Sequence, residues 1–179
     1  DYFETEGGQV VVFSPMGFLK DGKGEENQAI CMVVDFQEDG CEMNMPDQYQ
    51  YLDYGFDLYA PQSTMDEEGR RVLVAWLRMP KAVKEEGQVP WKGMFSLPRV
   101  VEVKDGHVYF RVHPNVKKLY SRPVKDVKDT GLEGYHLSLQ LEDGGCVNVG
   151  GYRIFRRGSR IGTDRTDVFC KGAVSYTHL

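Results

Sequence analysis

Leu52-Asp53-Tyr54-Gly55-Phe56-Asp57-Leu58-Tyr59-Ala60-Pro61-Gln62, followed by Val72-Leu73-Val74-Ala75-Trp76-Leu77 and then Trp91-Lys92-Gly93-Met94-Phe95-Ser96-Leu97-Pro98-Arg99, is the stretch on which the fold turns. From Phe56 to Gln62 the side chains alternate. A strand of that pattern sends Phe56, Leu58 and Ala60 to one face and Asp57, Tyr59 and Pro61 to the other. Val72 to Leu77 is a continuous apolar run, which predicts a strand covered on both faces, as where stacked sheets meet. Met65-Asp66-Glu67-Glu68-Gly69 supplies the turn between them.

Hairpins continue on either side. Asp1 to Phe3 and Gln9 to Ser14 flank a turn at Glu4 to Gly8, and Ala29 to Phe36 and Cys41 to Asn44 flank Glu38-Asp39-Gly40, a turn with the Asp-Gly signature. Val100 to Val103 and His107 to Val112 flank Lys104-Asp105-Gly106. Pro114 and Pro123 interrupt the Lys-rich stretch that follows, which reads as a linker or a short helix. Leu137 to Leu141, Cys146 to Val149 and Tyr152 to Phe155 then read as short strands. The last six residues, Val174 to Leu179, fit no strand pattern and resemble a translated adapter, so they carry no weight in the fold.

The 179 residues are 41% apolar, enough for a packed core, and carry a net charge of −5 from interspersed acids and bases. No basic patch offers a nucleic-acid surface or a pull toward anionic lipid, so the expected partner is a small ligand rather than a nucleic acid or a membrane. Cys31, Cys41, Cys146 and Cys170 have neither Cys-x-x-Cys spacing nor a nearby His pair. That argues against zinc and iron–sulfur sites and for buried free thiols.

The three motifs at residues 52–99, in this order, resemble the last propeller blade of glycoside hydrolase family 32, the invertase, sucrose-6-phosphate hydrolase and fructanase family. That family has an Asp-Phe-Tyr-Ala-x-Gln strand, a short apolar strand ending in Gly-Trp-Met or similar, and Trp-x-Gly-x-x-Ser-Leu-Pro-Arg. Leu58 stands in place of the usual Phe and Ala75 in place of the usual Gly. The resemblance implies an all-β chain: the last one or two blades of a five-bladed β-propeller over residues 1–113, a linker at 114–129 and the opening of a β-sandwich at 130–173, with 174–179 a non-native tail. Thr163-Asp164-Arg165-Thr166 stands where the family often has Asp-Arg-Ser. A retaining β-fructofuranosidase acting on sucrose, sucrose 6-phosphate or a fructan is implied, with no metal or organic cofactor and a cytoplasmic location. A non-catalytic carbohydrate-binding propeller and an arabinan-acting propeller glycosidase are the rival readings.

Cleavage with retention needs two carboxyl groups about 5–5.5 Å apart. Asp53 and Asp57 share a strand face, but four residues of strand separate them by about 13 Å. The family places its nucleophile in Asn-Asp-Pro, a stabilising Asp in Arg-Asp-Pro and its acid/base Glu in Glu-Cys-Pro-Asp, and none of these motifs occurs in the 179 residues. Asp1-Tyr2-Phe3 reads like the residues following the last of them, so the catalytic pair is expected upstream of residue 1.

What the resemblance leaves to this chain is pocket wall. The innermost strand of a blade lines the central channel, which turns Asp57 and Tyr59 toward a sugar. Trp76 is the family's pocket tryptophan by position, with a core tryptophan between blades as the alternative. Trp91 lines the rim or packs beneath the linker. Tyr49, Tyr51 and Tyr54 form either a sugar-stacking row or ordinary strand packing. Lys81 and Lys84 are available to a phosphate, Glu85 and Glu86 lie in a solvated loop, and His107, His113 and His136 read as surface or extended residues.

Overall fold

The computed structural model describes residues 1–17, 19–20, 23–24, 28–53, 57–78, 82, 84, 86–124, 136–149, 152–165 and 173–176. Tyr54, Phe56, Lys81, Glu85, Cys170 and part of the expected linker lie outside them. The chain is all-β. The first sheet begins with β1 (Tyr2–Thr5) and β2 (Gly8–Phe13); β3 (Leu19–Lys20) and β4 (Lys23–Gly24) make a separate small hairpin. β5 (Ile30–Gln37) returns beside β2, and its far edge is shared by β6 (Glu42–Asn44) and β7 (Gln50–Tyr51).

The second sheet follows the same plan. β8 (Leu58–Met65) pairs with β9 (Arg71–Leu77), whose other edge is shared by β10 (Met94–Phe95) and β11 (Arg99–Lys104), and β12 (His107–Val112) closes the sheet against β11. Two successive four-position antiparallel meanders are the pattern of propeller blades. A short helix, α1 (Pro114–Lys118), leads away, and β13 (Cys146–Val149), β14 (Tyr152–Arg157), β15 (Arg160–Arg165) and β16 (Ala173–Tyr176) form a third antiparallel sheet.

The two blades share one core. Phe3, Val10, Val12, Ala29, Cys31 and Leu52 from the first pack with Leu58, Leu73, Ala75, Val101 and Val108 from the second. Gly7, in the β1–β2 turn, presses so closely on β11 that a Cβ there would lie 2.0 Å from the Val103 carbonyl oxygen. Polar ties cross between blades as well. Arg99 pairs with Asp53 at 2.8 Å, and the Gln50 side chain accepts the Val108 N–H at 2.9 Å.

One expected turn is met, and several other expectations change. The Asp105-Gly106 turn joins Lys104 directly to His107 with both residues at positive φ, as a two-residue hairpin requires. At Glu38-Asp39-Gly40 the chain instead makes a 3-10 turn, and the left-handed residue is Cys41. Cys31 is buried, and burial pushes its thiol up to about 12, but Cys41 and Cys146 are exposed, so the expectation of buried thiols holds for Cys31 alone among the described cysteines. Leu137 to Leu141 is not a strand: the run lines an apolar cavity of about 590 Å³ against the third sheet. β16 takes in residues that the sequence pattern set aside, since Ala173 to Tyr176 pairs with Asp164 to Ile161 along an otherwise open edge.

Candidate functional site: an aromatic wall at one end of the second blade

Asp57, Tyr59 and Trp76 come together at one end of the β8–β9 pair. Leu58 faces Leu77 across the ladder and Tyr59 faces Trp76; one step further out, the Arg78 N–H donates to the Asp57 carbonyl oxygen at 2.8 Å. On its other side Trp76 faces Phe95 of β10. Tyr59, Trp76 and Phe95 therefore stand at one level across three neighbouring strands, with Trp76 40% and Phe95 81% exposed. Arg78, two residues beyond Trp76, lays its guanidinium carbon 5.2 Å from the centroid of the Tyr59 ring.

A bulge sets this arrangement. After Tyr59 the ladder skips, and Ala60 and Pro61 stand together before pairing resumes at Gln62 with Val74. Proline gives no N–H to a ladder and so is accommodated where pairing lapses. Ala60 takes φ of 48°, a left-handed conformation uncommon for a residue with a side chain. The skip reverses the expected alternation: Leu58 and Pro61 are buried, whereas Ala60 and Gln62 are exposed. The cover expected on both faces of β9 is likewise one-sided, since Leu73 and Ala75 are buried while Val72 and Val74 are half-buried and Trp76 is exposed.

The Tyr59 hydroxyl is committed within the protein, donating to the Ser14 carbonyl oxygen of the first blade at 2.7 Å. Its ring lies beneath the Arg78 guanidinium. Trp76 rests on the 91–96 segment, which is stitched to β9 by Ser96. The Ser96 N–H donates to the Ala75 carbonyl at 2.8 Å, and the Ser96 hydroxyl accepts the Ala75 N–H at 3.0 Å. Trp91 is half-buried in the same segment. Tyr49 and Tyr51 are half-buried and pack edge to face, with ring centroids 5.7 Å apart. Asp53 does not join the group, because its carboxylate holds Arg99.

A polar cluster at the opposite end of β8 and β9 escaped the sequence reading. Asp66 accepts from the backbone N–H groups of Glu68 and Arg70 at 2.9 and 2.8 Å, from Arg70 Nε at 2.7 Å and from His113 Nε2 at 3.1 Å. Burial opposes its charge, yet these donors together hold the carboxyl well below the usual carboxylate range. His113 is buried, and its Nδ1 accepts the Asn115 N–H at 3.1 Å, which caps α1 and leaves the Nε2 hydrogen for Asp66. The His-Pro-Asn order was the available signal, a capping side chain followed by proline at the first helical position. Among the described residues no group of three or more His, Cys, Asp or Glu could hold a metal ion, and no helix is long and apolar enough to cross a membrane.

Residues 1–114 match the family model described as the glycosyl hydrolases family 32 N-terminal domain. The chain belongs to glycoside hydrolase family 32. It is 34% identical over 146 residues to a sucrose-6-phosphate hydrolase of Vibrio alginolyticus, covering 79% of this chain and 30% of that protein. It is 31% identical over 130 residues to a raffinose invertase of Escherichia coli, covering 72% and 25% respectively. Among solved structures, a family 32 beta-fructofuranosidase of Bombyx mori superposes with a TM-score of 0.70 at 16% identity, over 100% of this chain and 41% of that one. A sucrose-6-phosphate hydrolase of Lactobacillus gasseri does so with 0.69 at 15%, over 100% and 42%. At those identities the superpositions speak for the fold alone. The chain spans under a third of the length of these curated family 32 relatives.

Proposed function

We propose that this chain supplies the substrate-facing wall of a retaining β-fructofuranosidase that hydrolyses sucrose, sucrose 6-phosphate or a fructan. On this reading residues 1–113 are the end of a five-bladed catalytic propeller, 114–129 a linker and 130–173 the start of a β-sandwich, in a cytoplasmic enzyme. The observation that carries it is the pairing of Tyr59 with Trp76 across β8 and β9, with Asp57 one step further out on β8's end, in a chain of this family. Aromatic faces take up the apolar C–H face of a sugar, and a carboxylate takes a hydroxyl in a charge-assisted hydrogen bond.

The bond-breaking groups belong to the rest of the enzyme. A carboxylate nucleophile attacks the anomeric carbon while a carboxylic acid protonates the leaving oxygen, and water then releases the fructosyl group from the nucleophile. The wall's part is to hold the ring so that attack is in line, which converts binding into rate. The relatives named above as a sucrose-6-phosphate hydrolase and a raffinose invertase set the substrates to try first. The test is to express the complete enzyme that carries this segment and assay sucrose, sucrose 6-phosphate, raffinose and inulin, with NMR of the earliest product. Release of fructose with its configuration retained supports the reading. Inversion, or no release from any of the four, overturns it.

A further inference from the structure

Gly93 meets Trp76 more closely than a residue with a side chain could. A Cβ built on Gly93 lies 1.8 Å from Trp76 Nε1, 2.7 Å from Trp76 Cδ1 and 2.9 Å from the Leu77 carbonyl oxygen. Its φ of 124° is also in a region that residues with a Cβ rarely adopt. The segment cannot simply swing away. Met94 and Phe95 pair with Leu77 and Trp76, and Ser96 is bonded twice to Ala75, so Gly93 is held against β9 from the residue that follows it. The pyrrole edge of the indole thus lies on bare backbone, and that backbone limits how far the ring can turn toward Gly93.

We infer that Gly93 is a positioning residue for substrate: it sets the angle of the Trp76 ring, and through that ring the seat of the sugar. The inference rests on the proposed placing of Trp76 in the sugar site and adds what fixes it there. Any side chain at 93 pushes the indole out of its plane, and displacement of a binding group by about 1 Å can lower rate about a hundredfold.

The experiment is a double-mutant cycle in the complete enzyme on sucrose and sucrose 6-phosphate, with kcat and KM measured per folded molecule. Gly93→Ala alone should lower kcat/KM on the better substrate at least tenfold and shift the tryptophan near-UV circular dichroism. In a Trp76→Ala background the same change should lower it less than twofold, even though the strained φ still depresses the melting temperature. Trp76→Phe, whose smaller ring leaves room for a Cβ, should restore part of what Gly93→Ala loses, including folding if the single variant does not fold. Additive losses, or failure of Gly93→Ala to fold in both the Trp76 and the Phe background, overturn the inference: the glycine then serves the loop and not the ring. If Trp76→Ala leaves kcat/KM unchanged, the placing of Trp76 in the site falls and this inference with it. If Trp76→Ala lowers kcat/KM and Gly93→Ala does not, this inference falls alone.

Discussion

Replacing Tyr59 by Phe separates two roles that the sequence presents as one. The hydroxyl donates at 2.7 Å to the Ser14 carbonyl, while the ring, on the residue paired with Trp76 across the ladder, lies beneath the Arg78 guanidinium. Tyr59→Phe deletes the tie and keeps the ring. A neutral hydrogen bond of this kind contributes about 0.5–1.5 kcal/mol net. Ser14 is half-buried, so water can replace the lost donor, and the cost should sit near 1 kcal/mol. That lowers the melting temperature by about 2–4 °C in a unit of 150–250 residues. If the ligand meets the ring alone, kcat/KM for the better fructoside in the complete enzyme stays within about twofold of the parent. Tyr59→Ala, which removes the ring and the support beneath Arg78, should cost at least tenfold. Thermal unfolding and initial-rate kinetics on the two variants provide the check. A tenfold fall in kcat/KM for Tyr59→Phe, equal to about 1.4 kcal/mol of transition-state binding, with no change in melting temperature, would mean that the hydroxyl serves the sugar and would refute the division of roles.

Asp66 makes stability depend on acid: its folded-state carboxyl lies below the unfolded value of about 3.9, so its contribution is complete above about pH 5 and is lost as pH falls through the folded value. Asp66→Asn should flatten the acid limb of a stability–pH profile while leaving its shape near neutrality unchanged. Gly7→Ala drives a Cβ onto the Val103 carbonyl and should cost about 2–3 kcal/mol or prevent folding. Gly106→Ala, with open space but a φ of 72°, should cost only about 1–2 kcal/mol in denaturant titrations of the two variants. The 179-residue chain by itself should release no fructose from sucrose, because the carboxylate motifs of the family are absent from it, and a coupled fructose assay on the purified chain decides the point.

The hairpins were legible because a two-residue period and a tight turn are local signals. Val72 to Leu77 became β9 with one residue added, Gln9 to Ser14 became β2 shifted by one, and Lys104-Asp105-Gly106 became the expected turn. Period alone does not reveal where a ladder skips. The alternation through Phe56 to Gln62 broke at Ala60, although Pro61 was the one residue of that run unable to donate to a neighbouring strand. Leu137 to Leu141 failed for a related reason: alternate leucines specify an apolar face without saying whether a partner strand lies alongside. β15 was missed because Arg160 to Arg165 is mostly polar and follows a two-residue turn at Gly158-Ser159, so neither its composition nor its spacing stood out.

The candidate site was legible as residue types and illegible as geometry, and the reason lies in what fixes β8. Apolar burial anchors only Leu58 and Pro61 along this strand. Two of its other positions, and the residue just past its end, are held by polar ties to residues far away in sequence. Tyr59 reaches Ser14, 45 residues back. Ser63 donates its N–H and its hydroxyl to Asp1, 62 residues back, at 2.8 and 2.7 Å. Asp66, just past its end, takes the His113 ring from 47 residues ahead. Each tie joins ordinary polar residues whose spacing carries no periodic signature, so no window of sequence could display them. Their combined effect is to hold the strand at its site end, middle and turn against both the first blade and the start of α1. Polar ties suit a strand with one face open, where more apolar surface would bind nonspecifically, and on the proposed reading they fix the Tyr59 end of β8 without filling the side that a sugar would approach.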